Sequence, residues 1–202
     1  MNKQRGFSLI ELIIVVVILS LLAVTALPRF VNISEQAEDA SVEGVAGGYA
    51  AAVGLVRAQW EIEGRPSGNQ ALITMDLTQI RVNEFGFPTA GTGGANSGTN
   101  LSPSQMTASA CKSIFDGIMQ SPVRSVTSGS SASNVRYYIS VRSGAGQTDN
   151  NVTYDLCVYH LVATLKLDAN TGIPQGAVDL SSGNSFTYNA ATGQVQVYSN
   201  NF

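Results

Sequence analysis

The chain has 202 residues and a mass of 21.2 kDa, enough for one ordinary domain with a core and too short for two large ones. Only 12% of the residues are charged and the formal net charge is −3, against a usual charged share of ~25%. Lysine and arginine never stand side by side, so the sequence lacks the basic footprint of a nucleic-acid binder, and no such partner is expected.

The chain opens on Met1-Asn2-Lys3-Gln4-Arg5-Gly6, short, polar and doubly basic. An apolar run from Phe7 to Leu27 follows, 21 residues with a single charge, Glu11. As a helix it is about 30 Å long, the thickness of a bilayer core. Lys3 and Arg5 hold its start on the cytoplasmic side, which sends the rest of the chain across the membrane. A secretory signal with Val24-Thr25-Ala26 as cleavage site fits the charged start, but the apolar run exceeds the usual ~7–15 residues. A plain anchor fits the length, yet leaves Glu11 without a purpose. A carboxylate within a membrane span costs a few kcal/mol and normally has a functional partner.

Gly6-Phe7-Ser8-Leu9-Ile10-Glu11-Leu12 resembles the class III signal of type IV prepilins and pseudopilins. The likeness rests on a basic six-residue leader, the glycine before the cut, the aromatic residue after it and the glutamate behind. It implies that prepilin peptidase cuts between Gly6 and Phe7 and that Phe7 is then N-methylated. It further implies that the Glu11 carboxylate pairs with the N-terminal amine of a neighbouring subunit during assembly, an ion pair far stronger in a low dielectric than in water.

Pro28 is expected to stop or kink the first helix, because it lacks an N–H and crowds the preceding turn. Beyond it, Phe30, Ile33, Ala37 and Ala40, then Val42, Val45, Tyr49, Ala52, Val56 and Trp60, recur at steps of three and four. That spacing is one face of an amphipathic helix, and Gly64-Arg65-Pro66 ends it. Glu35, Glu38, Asp39 and Glu43 form an acidic group read as mostly solvent-facing. Gly44, Gly47, Gly48 and Gly54 each cost up to ~1 kcal/mol relative to alanine inside a helix, and close packing on a sheet, or flexibility, is the expected reason. The resulting division is a leader over 1–6, a long helix over 7–64 with 7–27 as membrane span and filament core, and a β-sheet head over 65–202.

Thr89 to Ser104 is a polar, glycine-rich surface loop. A short helix is expected over Gln105 to Phe115, and a second polar stretch from Ser125 to Asn134. Strands are expected over Val135–Val141, Val152–Leu161, Ser185–Asn189 and Val195–Tyr198, the last two joined by a turn at 190–194. The fold class is therefore α+β: a long helix packed on an antiparallel sheet of about four strands, the fold that the type IV pilin resemblance also implies.

Cys111 and Cys157 are too few for a zinc site, and in an exported chain they read as one disulfide, with two separate buried thiols as the alternative. Asp168-Ala169-Asn170-Thr171-Gly172 looks like the opening of a calcium loop without its later bidentate acid, and a plain turn is the better reading. His160 stands alone, so neither a catalytic set, a metal nor another cofactor is expected, and the chain is not read as an enzyme.

Ala26-Leu27-Pro28-Arg29-Phe30 and the stretch Arg57 to Pro66 look most like pilins of the mannose-sensitive haemagglutinin (MSHA) type, the second like a minor biogenesis pilin. The resemblance implies a structural subunit of a type IV pilus that serves surface attachment and biofilm formation. Its implied partners are other pilin subunits, prepilin peptidase, and an inner-membrane assembly platform with its ATPase; a surface glycan is a candidate ligand. The implied location is the inner membrane, single-pass with the head in the periplasm, before assembly, and the cell-surface pilus afterwards. A type II secretion pseudopilin and a sugar-binding adhesin head on a pilin stem are the alternatives.

Overall fold

The computed structural model describes residues 7–75, 78–90, 98–147 and 152–200. The elements in chain order are helix α1 (Leu9–Ile62), strands β1 (Leu72–Met75) and β2 (Thr78–Arg81), helix α2 (Ala108–Ile118), and strands β3 (Ser125–Thr127), β4 (Tyr137–Gln147), β5 (Thr153–Leu161), β6 (Ser185–Asn189) and β7 (Val195–Tyr198). A single 3-10 turn, Val162–Thr164, follows β5. The fold is α+β. The chain divides into two units, one up to Glu38 and one from Asp39 onward.

Helix α1 contains Pro28 and is not ended by it, so of the two expectations at Pro28, a stop or a kink, the stop does not hold. Proline removes one backbone donor and crowds the preceding turn, yet the helix runs on through it to Ile62. Thr25 Oγ1 donates to Leu22 O at 2.9 Å one turn before the proline. The end of α1 follows from sequence chemistry. Gly64 adopts φ +81°, Arg65 N–H donates to Trp60 O at 2.9 Å and Gly64 N–H to Glu61 O at 3.2 Å. These two bonds close a Schellman motif, which satisfies carbonyls that would otherwise lack a partner.

In the second unit Val42, Tyr49, Val56 and Trp60 of the expected face are buried, Val45 and Ala52 are half-buried, and Ala46 and Val53, which lie outside the expected spacing, complete the buried face. The glycines depart from the packing expectation: a Cβ placed at Gly44, Gly47, Gly48 or Gly54 would meet nothing within 4 Å. They lie on the outer side of the helix, and packing on the sheet does not explain them.

The main sheet has five strands in the order β3-β4-β5-β6-β7. The four expected strands form its antiparallel part, and β3, three residues within the expected polar stretch, adds a parallel edge pairing with β4. The sheet is therefore mixed. A separate antiparallel hairpin, β1-β2, has no counterpart among the expected strands. Helix α2 starts later than expected, with Thr107 as N-cap accepting from Ala110 N–H at 3.1 Å.

Tyr49 of α1 sits at the centre of the core. Its ring lies 5.9 Å from Phe115, 5.3 Å from Tyr159, 5.7 Å from Phe186 and 5.4 Å from Tyr188. Its hydroxyl is 3.1 Å from that of Tyr159, which donates to Cys111 O at 3.0 Å. Buried phenols need such partners. Desolvation holds the Tyr49 and Tyr159 phenols well above their ordinary range, so both stay neutral.

Candidate functional site

The first turn of α1 is organised by Ser8 and Glu11. Ser8 N–H donates to Glu11 Oε2 at 2.8 Å, Ser8 Oγ donates to the same oxygen at 2.8 Å, and Glu11 N–H donates back to Ser8 Oγ at 3.3 Å. This reciprocal pattern is a capping box, the Ser-x-x-Glu arrangement that satisfies two of the free N–H groups at a helix start. The pattern is readable in the sequence, although the family resemblance gives Glu11 only a role between subunits. Within its own chain Glu11 caps the helix that carries it.

Gly6 lies outside the described residues. Phe7, next to the expected cut, is 86% exposed. From Phe7 to Ile33 the large apolar side chains are exposed without interruption, among them Ile10, Leu12, Val16, Leu19, Leu27 and Phe30. A helix that presents apolar residues all round has no stable place in water and belongs in lipid or among other helices. The segment is long and apolar enough to cross a bilayer. Its chemistry is self-association or membrane insertion, with one acid near the start of the apolar run.

Cys111 of α2 and Cys157 of β5 form a disulfide with a Cα–Cα distance of 5.6 Å and a sequence separation of 46. It ties α2 to the central strand of the sheet beneath Tyr49. Closing a loop of that length stabilises by about 4 kcal/mol in the chain-entropy account.

The remaining chemistry-bearing residues are placed differently. His160 of β5 is fully buried. Its Nε2 faces Ser140 Oγ at 3.4 Å, and burial pushes its pKa down to about 4. The neutral ring thus packs within the sheet. Asp168 Oδ1 accepts from Asn170 N–H, Thr171 N–H and Thr171 Oγ at 2.8–3.0 Å. These bonds, the backbone bond to Thr171 foremost, hold its carboxyl below the usual range. The oxygen is committed to its own turn, and Gly172 completes that turn at φ +69°. Asp39 accepts from Asn184 Nδ2 at 2.7 Å, and Arg136 donates to Ser41 Oγ at 2.5 Å. One member of the expected acidic group is therefore a clamp between α1 and the head rather than a free surface charge.

Two comparisons with known proteins give matches. Residues 1–27 match the prokaryotic N-terminal methylation motif. The chain is also 40% identical over 57 residues to the type IV narrow pilus major component PilA5 of Thermus thermophilus. In this segment the chain is similar to type IV pilins. The matched stretch covers 28% of this chain and 49% of the relative, so the chain spans about half the length of the curated relative it matches. No solved structure matches. The motif match thus covers the start of α1, and the architecture of the head rests on the fold described above.

Proposed function

We propose that this chain is a structural subunit of a type IV pilus. Prepilin peptidase cuts it between Gly6 and Phe7, Phe7 is N-methylated, and the subunit polymerises through α1. The observation that carries the reading is a coincidence on one segment. The methylation motif over residues 1–27, the fully exposed apolar helix and the lone acid, Glu11, occupy the same stretch. Before assembly the apolar face is covered by lipid. Assembly exchanges lipid contacts for helix–helix contacts, and Glu11 sets the register by pairing with a neighbour's amine.

The capping box adds a step to assembly. The carboxylate that receives the neighbour's amine already accepts two bonds from Ser8. A carboxylate has about four lone-pair sites, so the second oxygen is open to the incoming amine while the first keeps the helix capped. The finer reading is a minor subunit of the MSHA type serving surface attachment. Ala26 to Phe30 and Arg57 to Pro66 support it. The assembly platform and its ATPase supply the work. The secretion-pseudopilin reading leans on a calcium loop in the head; Asp168, the residue that would open one here, spends its inner oxygen on its own turn.

The test is incorporation into filaments. Glu11→Ala should leave the precursor processed and membrane-inserted but lower its share in sheared filaments at least tenfold. Unchanged incorporation would remove the pairing role. A Gly6→Val substitution should leave an uncut precursor in the membrane fraction, and normal processing would refute the cut site.

A further inference from the structure

The five-stranded sheet ends at β7, which pairs with β6 on one side and with no described strand on the other. The alternation of an antiparallel ladder fixes which backbone groups are left over. Asn189 N–H donates to Gln194 O at 3.0 Å. In the same register Thr187 opposes Gln196 and Ser185 opposes Tyr198, so these are the pairs that exchange bonds. The β5-β6 ladder has the matching phase, with Leu161 N–H donating to Asn184 O at 2.8 Å. The N–H and C=O groups of Val195 and Val197 therefore point away from β6, and among the described residues none bonds to them.

Exposed edges are usually blunted by charge, proline or a bulge, because an open row of backbone groups is a template for another strand. Strand β7 has none of these. Its pairing with β6 runs unbroken from Val195 to Tyr198, and from Leu180 to Phe202 the sequence contains no Asp, Glu, Lys, Arg or His. The opposite edge differs: β3 is three residues long and directly follows Arg124, with Pro122 just before it. Val195 and Val197 are half-buried and pack against the core from its rim, while Gln196 lies on the other face and is exposed.

We propose that β7 is a strand-addition edge and that its partner is β7 of a second copy of this chain, paired antiparallel about a two-fold axis at Gln196. Three properties of the edge favour a second copy over a foreign strand. In this register Val195 of each copy opposes Val197 of the other, so every leftover N–H and C=O of the two valines finds a partner. The valine pairs extend the apolar rim on the core face, a favourable cross-strand contact. On the other face Gln196 opposes its own counterpart and Tyr198 opposes Gln194, so no like charges meet. A two-fold contact of this kind is isologous and closes on itself. It joins heads, and it stands or falls independently of assembly through α1.

The experiment is cysteine cross-linking of the full chain in detergent micelles under mild oxidation, with Cys111 and Cys157 left in their buried disulfide. Gln196 and Ser104 are both exposed, so Gln196→Cys and the reference Ser104→Cys leave the fold intact. Q196C should form disulfide-linked dimers about tenfold faster than S104C, because directly opposed residues of a non-bonded antiparallel pair stand ~4.5 Å apart at Cα, within disulfide reach. A mixture of Gln194→Cys and Tyr198→Cys chains should link to each other, while Q194C alone should link no faster than S104C. Linking of Q196C at the S104C rate would overturn the proposal and leave the edge to a strand from another protein. Equal linking at all four positions would also overturn it, since contact through the stems alone gives no register.

Discussion

The part of α1 before Glu38 and the part from Asp39 onward belong to one helix and use apolar residues in opposite ways. In the first, Leu9 to Ile33 carry isoleucine, leucine and valine around the whole circumference, and all of them are exposed. In the second, the large apolar residues of one face are buried against the head. The outer side carries the glycines, with Leu55 and Ile62 as exposed exceptions. Among the described residues the bonds recorded within the first part are the capping box and local hydroxyl bonds, whereas the second is a member of a finished core. A stability measurement on the head and an assembly measurement on the stem should therefore respond to different substitutions.

The largest expected effect separates them most sharply. Replacing Cys111 and Cys157 by serine should lower the unfolding free energy of the head by about 4 kcal/mol, read by chemical denaturation, while membrane insertion of the stem is unchanged. A loss of insertion in that variant would show the two regions to be coupled.

Gly86 offers a second cut. It holds φ +77°, and a Cβ there would stand 2.5 Å from the Trp60 ring, on which Arg57 lies with its guanidinium 4.4 Å from the ring centroid. Gly86→Ala adds left-handed strain and overpacking, together about 2–4 kcal/mol. The loss should appear in the thermal midpoint of the head together with a changed tryptophan emission, since Trp60 is the one tryptophan.

The pH response tests the buried histidine. His160 is held at about 4, below its ordinary 6.5, chiefly by desolvation. The unfolded chain therefore binds a proton that the folded head refuses. Stability from this source is complete above pH 6.5 and is lost as pH falls from 6.5 towards 4, by up to about 3 kcal/mol. Asp179 and Arg142 are the charged groups that act on the ring. The carboxyls held below their usual range, such as Asp168 and Asp179, titrate beneath this window. As the chain has one histidine, His160→Gln should flatten the slope of stability between pH 6.5 and 4.5. An equal slope in the variant would assign it elsewhere.

The smallest effect belongs to the stem. Ser8→Ala removes the hydroxyl half of the capping box and should weaken the first turn of α1 by about 1 kcal/mol. The readout is faster amide exchange at residues 9–12 in micelles, with the head unaffected. Unchanged exchange would mean that the membrane environment, rather than Ser8, holds that turn.

How far each region could be read from sequence follows the same division. The helix of the stem was legible because a run of about twenty apolar residues with one charge leaves few alternatives to a helix long enough to cross a bilayer. The strands β4 to β7 were legible because Tyr137–Val141 and Thr153–Leu161 concentrate β-branched and aromatic residues, and the Ala190–Gln194 turn marks the last hairpin. Strand β3 was not, since Ser125-Val126-Thr127 is three residues of polar context and is a strand only because β4 lies beside it. The β1-β2 hairpin, four residues a side, is likewise held by tertiary contacts of Ile73, Ile80 and Val82 with Val56 and Trp60. Pro103 drew the expected start of α2 too early; the cap is Thr107, and the backbone of Pro103 instead accepts from Asp155 N–H. The glycines of α1 misled for another reason. Their sequence cost implies a purpose, and the sequence does not say on which side of the helix that purpose lies. Arg81 gave no signal at all, because a lone arginine in a strand reads as a surface residue until its burial is seen.

The central claim is that the chain is cut after Gly6, methylated at Phe7 and built into a filament through α1. Mass spectrometry of filaments sheared from cells tests it most directly, by following the N-terminal peptide. The account predicts a peptide beginning with N-methyl-Phe7 in the sheared fraction. A filament fraction without that peptide, with the chain retained in the envelope and still beginning at Met1, would contradict it.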